Sequence, residues 1–340
     1  MKKIILLFFL INSVALKAQH DSTYFKKYSH KLALGFFSTL RNYNLRINSN
    51  ISKDAGLPDV DFATNGRLQW GLAFGYDKIR LGIAIGKSAN NDIYGQSRTQ
   101  NIAADIGGNA IFIAVGYRRY TGMYDKNSTG YMPANGPTFY IDPSLQVTTF
   151  RLKGMYFFNH KKYAFGAAYM ANQRQIKSAA SWLVTSNIHH EKIKTAATII
   201  PPPLASYYGG DAQLQTLQWW GINMGAGATG NLVILRKLFI HGTISFGAET
   251  QFREYVYNTG YNKKVTAMGF AGDFKAGIGF NSESFFISIN NNIDYHSVSL
   301  SNLKLVESLV TGYLIIGYRF KVKDPPLYQK LRETRLYKSL

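Results

Sequence analysis

From Leu32 onward the chain alternates apolar and polar residues with a period of two, the signature of half-buried β-strands. The clearest run is 238–251. Leu238, Ile240, Gly242, Ile244, Phe246 and Ala248 point one way, and His241, Thr243, Ser245, Gly247, Glu249 and Gln251 point the other. One fully apolar face and one polar face fit a strand with lipid outside and water inside. Three further segments, 270–280, 285–294 and 310–320, repeat the pattern.

Less regular strands are expected near 31–48, 66–76, 79–88, 98–106, 110–122, 144–158, 162–174 and 217–231, which brings the total to twelve. The links support this count. Short turns at Tyr76–Lys78, Gly107–Asn109, Asn159–Lys161, Leu235–Arg236 and Asn281–Glu283 alternate with mostly long connections near 49–65, 89–97, 123–143 and 175–216. Short turns on one side and longer loops on the other are the asymmetry of outer-membrane barrels. Ser181–Ile188 could supply a thirteenth strand, but the alternation of links favours placing it in a long 175–216 excursion, where Pro201–Pro203 breaks any ladder. The expected fold is therefore all-β, an antiparallel transmembrane β-barrel of about twelve strands with both termini periplasmic.

The two ends set the compartment. Lys2 and Lys3 precede an apolar Ile4–Leu10 and a small residue at Ala18, the three-part form of a secretory signal over 1–18. Residues 19–30 then form a periplasmic N-terminal segment, 31–321 the barrel with long outer loops at 123–143 and 175–216, and 322–340 a basic periplasmic tail. Past the signal no stretch approaches the roughly 18 apolar residues of a spanning helix. A membrane location thus requires a closed barrel, since open sheet edges are unsatisfied in lipid. The absence of cysteine leaves stability to packing and strand closure, and 23 Tyr, 22 Phe and 31 Gly suit many strands with aromatic girdles.

Charge narrows the partners. Removing Lys2, Lys3 and Lys17 takes 39 basic residues to 36 against 19 acidic ones. For an exported chain the expected partners are outer-membrane lipid and lipopolysaccharide, with other envelope proteins, and not nucleic acid. The location read from this is the outer membrane of a Gram-negative cell.

Several segments also resemble a known family. They are His20–Phe25 with Tyr28, Lys31–Leu34, Arg41–Tyr43, Gly107–Asn109 and Gln173–Trp182. Together they are similar to the exported Bacteroidota family catalogued as domain of unknown function 4421. The resemblance implies an outer-membrane β-barrel and brings no activity and no site residues.

Candidate chemistry is sparse. His189-His190-Glu191 is the most suggestive cluster, as a metal site or as the base of a lipid-modifying hydrolase. Adjacent histidines on a strand point to opposite faces, so one ion cannot readily take both. His241, Ser245 and Glu249 share a face but are spaced about 13 Å apart, too far for a triad. No nucleophile elbow, His-Glu-x-x-His pair or phosphate loop is present, so no cofactor is expected. The weight falls on charges that should face the lumen: Arg80, Arg118, Arg151, Lys153, Glu249, Asp273, Lys275, Asp294 and Arg319, with Asp105. They read either as an anion-favouring pore lining or as a salt-bridged plug, the second being favoured, with Asp273 and Lys275 as a pair. The expected role is non-catalytic, as a structural or adaptor barrel or a narrow porin-like pore. The alternatives are an outer-membrane lipid-modifying hydrolase using His189 or His190, and a soluble periplasmic β-sandwich or lipocalin-like binder.

Overall fold

The computed structural model describes residues 21–49, 54–66, 68–87, 93–133, 136, 138–169, 171–299, 303–334 and 337. The expected signal, 1–18, lies outside the described residues. In chain order the first strands are β1 (Phe25–Lys27), β2 (Lys31–Ser49), β3 (Val60–Ala63), β4 (Gln69–Tyr76), β5 (Ile79–Lys87), β6 (Arg98–Gly107) and β7 (Ile111–Asp125). After β8 (Tyr140–Phe157) come a four-residue helix α1 (Gly166–Tyr169), β9 (Gln173–Gln175) and β10 (Ala179–Lys194). The remainder is β11 (Leu214–Ile234), β12 (Leu238–Tyr257), β13 (Asn262–Asn281), β14 (Phe285–Ser299), β15 (Leu303–Lys321) and helix α2 (Pro326–Glu333).

Twelve of these strands form one antiparallel ring. Each pairs with the next barrel strand in sequence, and β15 returns to β2 in continuous register from Lys321↔Lys31 to Leu303↔Ser49. The two chain ends therefore leave the barrel at the same end. Closure gives each barrel strand a hydrogen-bonded neighbour on both sides, which an apolar surrounding demands. β4, β5 and β6 have only 8, 9 and 10 residues, while the other barrel strands run from 15 to 21. Eight to ten residues is about one bilayer crossing, so the long strands stand well clear of it. The edges they would expose above the short strands are covered by β3, which pairs with β2 at 44–47 and with β7 at 124–125.

Side-chain phase follows the alternation. On β12, Ile244 and Phe246 are 41% and 52% exposed, whereas Glu249 and Gln251 are at 0%. The outward face of the other strands is likewise apolar, as with Phe36, Trp70, Leu72, Ile83, Ile222, Phe274, Ile289 and Ile316. A soluble sandwich or lipocalin would carry polar residues there.

The interior is filled at both ends. At the end bearing the termini, the connection 158–178 folds inward, with Tyr163, Phe165 and Tyr169 packed on Phe112, Met155, Phe157, Leu183 and Phe239. β9 of this segment pairs with β1, so the N-terminal stretch is tied to the stopper, and Phe25 packs against Ala164 and Ala167. At the opposite end an apolar cluster spans the mouth. It joins Leu45, Leu217 and Leu305 of the tall strands and Phe62 of β3 to Ile199, Leu204 and Tyr208 of the 195–213 connection. Burying such a side chain contributes roughly 1.5–3 kcal/mol each, which is why the cap needs no disulfide.

Three expectations are corrected. Residues 162–174 are not a barrel strand but the stopper: 163–169 are apolar on all sides because they pack inside the ring. The 175–216 stretch is not one excursion, because Ala179–Lys194 is a full barrel strand between β8 and β11. The total of twelve stands with one member exchanged. The 123–143 loop is shorter than expected, as β7 runs to Asp125 and β8 begins at Tyr140.

Candidate functional site: the charged lumen

Between stopper and cap the inward phase of each strand is polar, and its charges pair between strands, one pair on adjacent strands and the others across the lumen, rather than along a strand. Arg80 on β5 donates through Nε to Asp105 Oδ2 on β6 at 2.7 Å, and through NH1 to the Tyr169 carbonyl of the stopper. Arg118 on β7 donates to Asp294 on β14 at 2.8 Å, and Arg151 on β8 lies 3.5 Å from the same carboxylate. Lys153 on β8 pairs with Asp273 on β13 at 2.7 Å. Asp273 does not pair with Lys275 as its spacing had indicated, because same-face neighbours on one strand stand roughly 6.5 Å apart. Lys275 instead lies over the Tyr169 ring, 5.6 Å from its centre.

These groups surround a central cavity of about 210 Å³, whose wall also includes Arg41 of β2. Two expected lining residues sit elsewhere. Arg319 is a clamp on the stopper, donating to the Ala171 and Ser282 carbonyls and to Asn281 Oδ1 and lying over the rings of Tyr28 and Phe286. Glu249 belongs to a layer nearer the cap, with His189, His296, Glu191 and Glu307.

That layer draws on β10, β12, β14 and β15 and is held by hydrogen bonds from side chains around it. Trp219 donates to His189 Nε2 at 3.2 Å, Gln251 donates to Glu249 Oε1 at 2.5 Å, and Arg151 donates to His296 Nε2 at 2.5 Å. Glu191 accepts from Thr149 at 3.1 Å and Glu307 from Tyr43 at 2.6 Å. His189, Glu249 and His296 have the donor types of a zinc site, with ligating atoms within 4.8 Å of one another. The surrounding bonds do not suit one. A metal-bound imidazole donates its second N–H to an acceptor. Here the outer nitrogen of His296 faces a guanidinium, and the His189 nitrogen toward Glu249 already accepts from Trp219.

His189 and His190 do part to opposite faces: His189 is fully buried in the lumen, while His190 faces outward against Trp220 with ring centres 4.9 Å apart. His241 is engaged by Tyr169 at 2.7 Å and Asn290 at 2.5 Å, which ties the stopper to the wall. Glu191 was singled out only as part of the His189-His190-Glu191 cluster, and Arg41, His296 and Glu307 were not expected in the lumen. The signal was available for His296, which continues the polar phase of Asn290, Asn292 and Asp294.

At the end bearing the termini the tail also docks. Asp324 accepts from Tyr76 and His30, pairs with Arg332 at 2.5 Å, and Tyr328 and Tyr337 donate to Asp77. The Tyr76 hydroxyl, then His30, holds the Asp324 carboxyl below its usual range. Burial pushes the Lys78 ammonium down to about 8, with repulsion from Lys27 adding to it and Asp77 opposing.

The profile of the family described as Domain of unknown function (DUF4421) matches residues 19–320. The chain belongs to the DUF4421 family. No curated protein matches it in sequence. Among solved structures it is similar to the outer membrane protease OmpT from Escherichia coli, at 7% identity and TM-score 0.40, over 87% of this chain and 98% of that one. It is similar too to the toluene transporter TodX of P. putida (7%, TM-score 0.31, 86% and 91%) and to Ail, the attachment invasion locus protein of Yersinia pestis (12%, 0.23, 85% and 99%). These likenesses carry no role over to a DUF4421 chain.

Proposed function

We propose that this chain is a sealed, non-catalytic barrel of the Gram-negative outer membrane, with its termini and stopper facing the periplasm, that serves as a structural or adaptor component. The observation that carries the reading is the double closure of the lumen, by 158–178 at one end and by the cluster around Leu204 and Tyr208 at the other. An apolar outer face on the closed ring supports a bilayer setting. The stopper end, where β1, β9 and the docked helix α2 meet, offers the surface for an envelope partner.

The hydrolase alternative asks His189 or His190 to act as a base. His189 accepts from Trp219 in the sealed interior, and His190 lies tilted against Trp220 on the outer face. Three measurements test the reading together. The chain should fractionate with outer membranes and migrate faster unboiled than boiled on a gel. Liposomes containing it should not swell in small sugars. Lipid profiles should be the same with His189→Ala and His190→Ala as with the unaltered chain. A soluble chain, swelling liposomes, or a lipid change abolished by either substitution would each overturn it.

A further inference from the structure

The central cavity is lined by six basic side chains and three carboxylates. Asp105 takes Arg80, Asp273 takes Lys153, and Asp294 is shared by Arg118 and Arg151. That leaves two cations that form no close ion pair among the described residues. Arg41, only 9% exposed, has its hydrogen bond to the neutral Gln69 Oε1 at 2.9 Å, and the Lys275 ammonium lies over the Tyr169 ring, with Asp294, Asp273 and Asp105 acting on it only at longer range. The glutamates nearer the cap do not line this space and are held by their own donors: Gln251, Thr149 and Tyr43. An uncompensated cation inside a membrane-embedded ring is strongly disfavoured, and such residues mark places where a counter-charge belongs.

We propose that this cavity is a binding site for a small phosphate-type oxyanion, either free phosphate or the phosphate of a small ester. Guanidinium forks present paired N–H groups matched to two oxygens of one anion, which favours an oxyanion over a halide. The volume of about 210 Å³ compares with roughly 10–15 Å³ for one water, so a tetrahedral anion fits with waters around it. Its floor is Tyr169, whose carbonyl takes Arg80 and whose ring lies under Lys275. Exchange of the anion therefore requires the stopper to shift. The site goes beyond the sealed-barrel reading and does not depend on an adaptor role.

The experiment is calorimetric titration of the purified full chain in detergent with inorganic phosphate at constant ionic strength, followed in parallel by phosphorus NMR line broadening. Glycerol 3-phosphate forms a second arm that separates free phosphate from an ester. One bound anion per barrel is expected from at least one of the two probes. Affinity should fall at least tenfold in Arg41→Gln/Lys275→Met and hold in Lys263→Gln, an exposed position outside the cavity wall. Folding of each variant is read by unboiled migration. Should the double variant not fold, Lys275→Met alone, which loses no hydrogen bond, carries the comparison. No binding of either probe, undiminished binding in the cavity variant, or an equal loss in Lys263→Gln would overturn the proposal.

Discussion

Asp294→Asn is the sharpest probe of how the lumen is held. Arg118 lies 2.8 Å and Arg151 3.5 Å from the Asp294 carboxylate, and the three come from β14, β7 and β8. At an effective dielectric of about 20 the two attractions are worth about 6 and about 5 kcal/mol before desolvation. Most of that is cancelled by taking the charges out of water, and what remains is the cost of leaving partners stranded, typically about 3–5 kcal/mol for a buried pair. The Arg118 side chain is 28% exposed, so part of its charge is re-solvated by the cavity and the lower end applies. A loss of about 3 kcal/mol is expected, roughly a hundredfold in the folding equilibrium. Urea unfolding in detergent, followed by fluorescence of Trp70, Trp182, Trp219 and Trp220, reads it. Asp54→Asn, at an exposed position, is the control and should stay within about 0.5 kcal/mol. If Asp294→Asn also stays within about 0.5 kcal/mol of the unaltered protein, the cross-lumen pairs do not brace the barrel.

Other positions test other layers. Ile244→Arg places a charge on the lipid face and should cost about 2–4 kcal/mol near the bilayer midplane, whereas a water-facing strand would tolerate it; the same urea experiment distinguishes the two. Phe165→Ala empties the stopper between Phe112, Phe157 and Tyr169 and should cost about 3–5 kcal/mol, appearing as faster tryptic cleavage at Lys161 and Lys162. Unchanged cleavage would mean the segment does not seal the ring. Asp324 has its carboxyl lowered by Tyr76 and His30, so its contribution to tail docking is present above the unfolded carboxylate range near 3.9 and fades as pH drops through the lower folded value. A spin label at Gln329 should stay immobilised at pH 7 and become mobile on acidification below about 4; mobility already at neutral pH would contradict the docked tail.

Much of the barrel was legible in the chain because lipid and water impose opposite demands on alternate residues. Four strands between Leu238 and Phe320 could be phased residue by residue, and the closing pair β2–β15 follows from them. The stopper was not legible for the same reason. Tyr163, Phe165 and Tyr169 are buried inside the ring, so the run carries apolar residues without the alternation of a lipid-facing strand and imitates one. Ala179–Lys194 shows the true alternation, Trp182, Val184 and Ile188 outward against Leu183, Thr185, Asn187 and His189 inward, but the prolines at 201–203 hid it in a presumed excursion. In the lumen, which residues face inward could be read, and which partner each meets could not. Arg118 and Asp294 are 176 residues apart and on opposite arcs of the ring, a relation set by closure rather than by spacing.

Single-channel recording on the purified full chain in a planar bilayer tests the sealed lumen most directly. With 158–178 seated inside one end and the Leu204–Tyr208 cluster across the other, the membrane current should stay at baseline after insertion is verified by protease protection. Reproducible conductance steps, above all anion-selective ones in keeping with the basic cavity wall, would contradict it and make the barrel a pore.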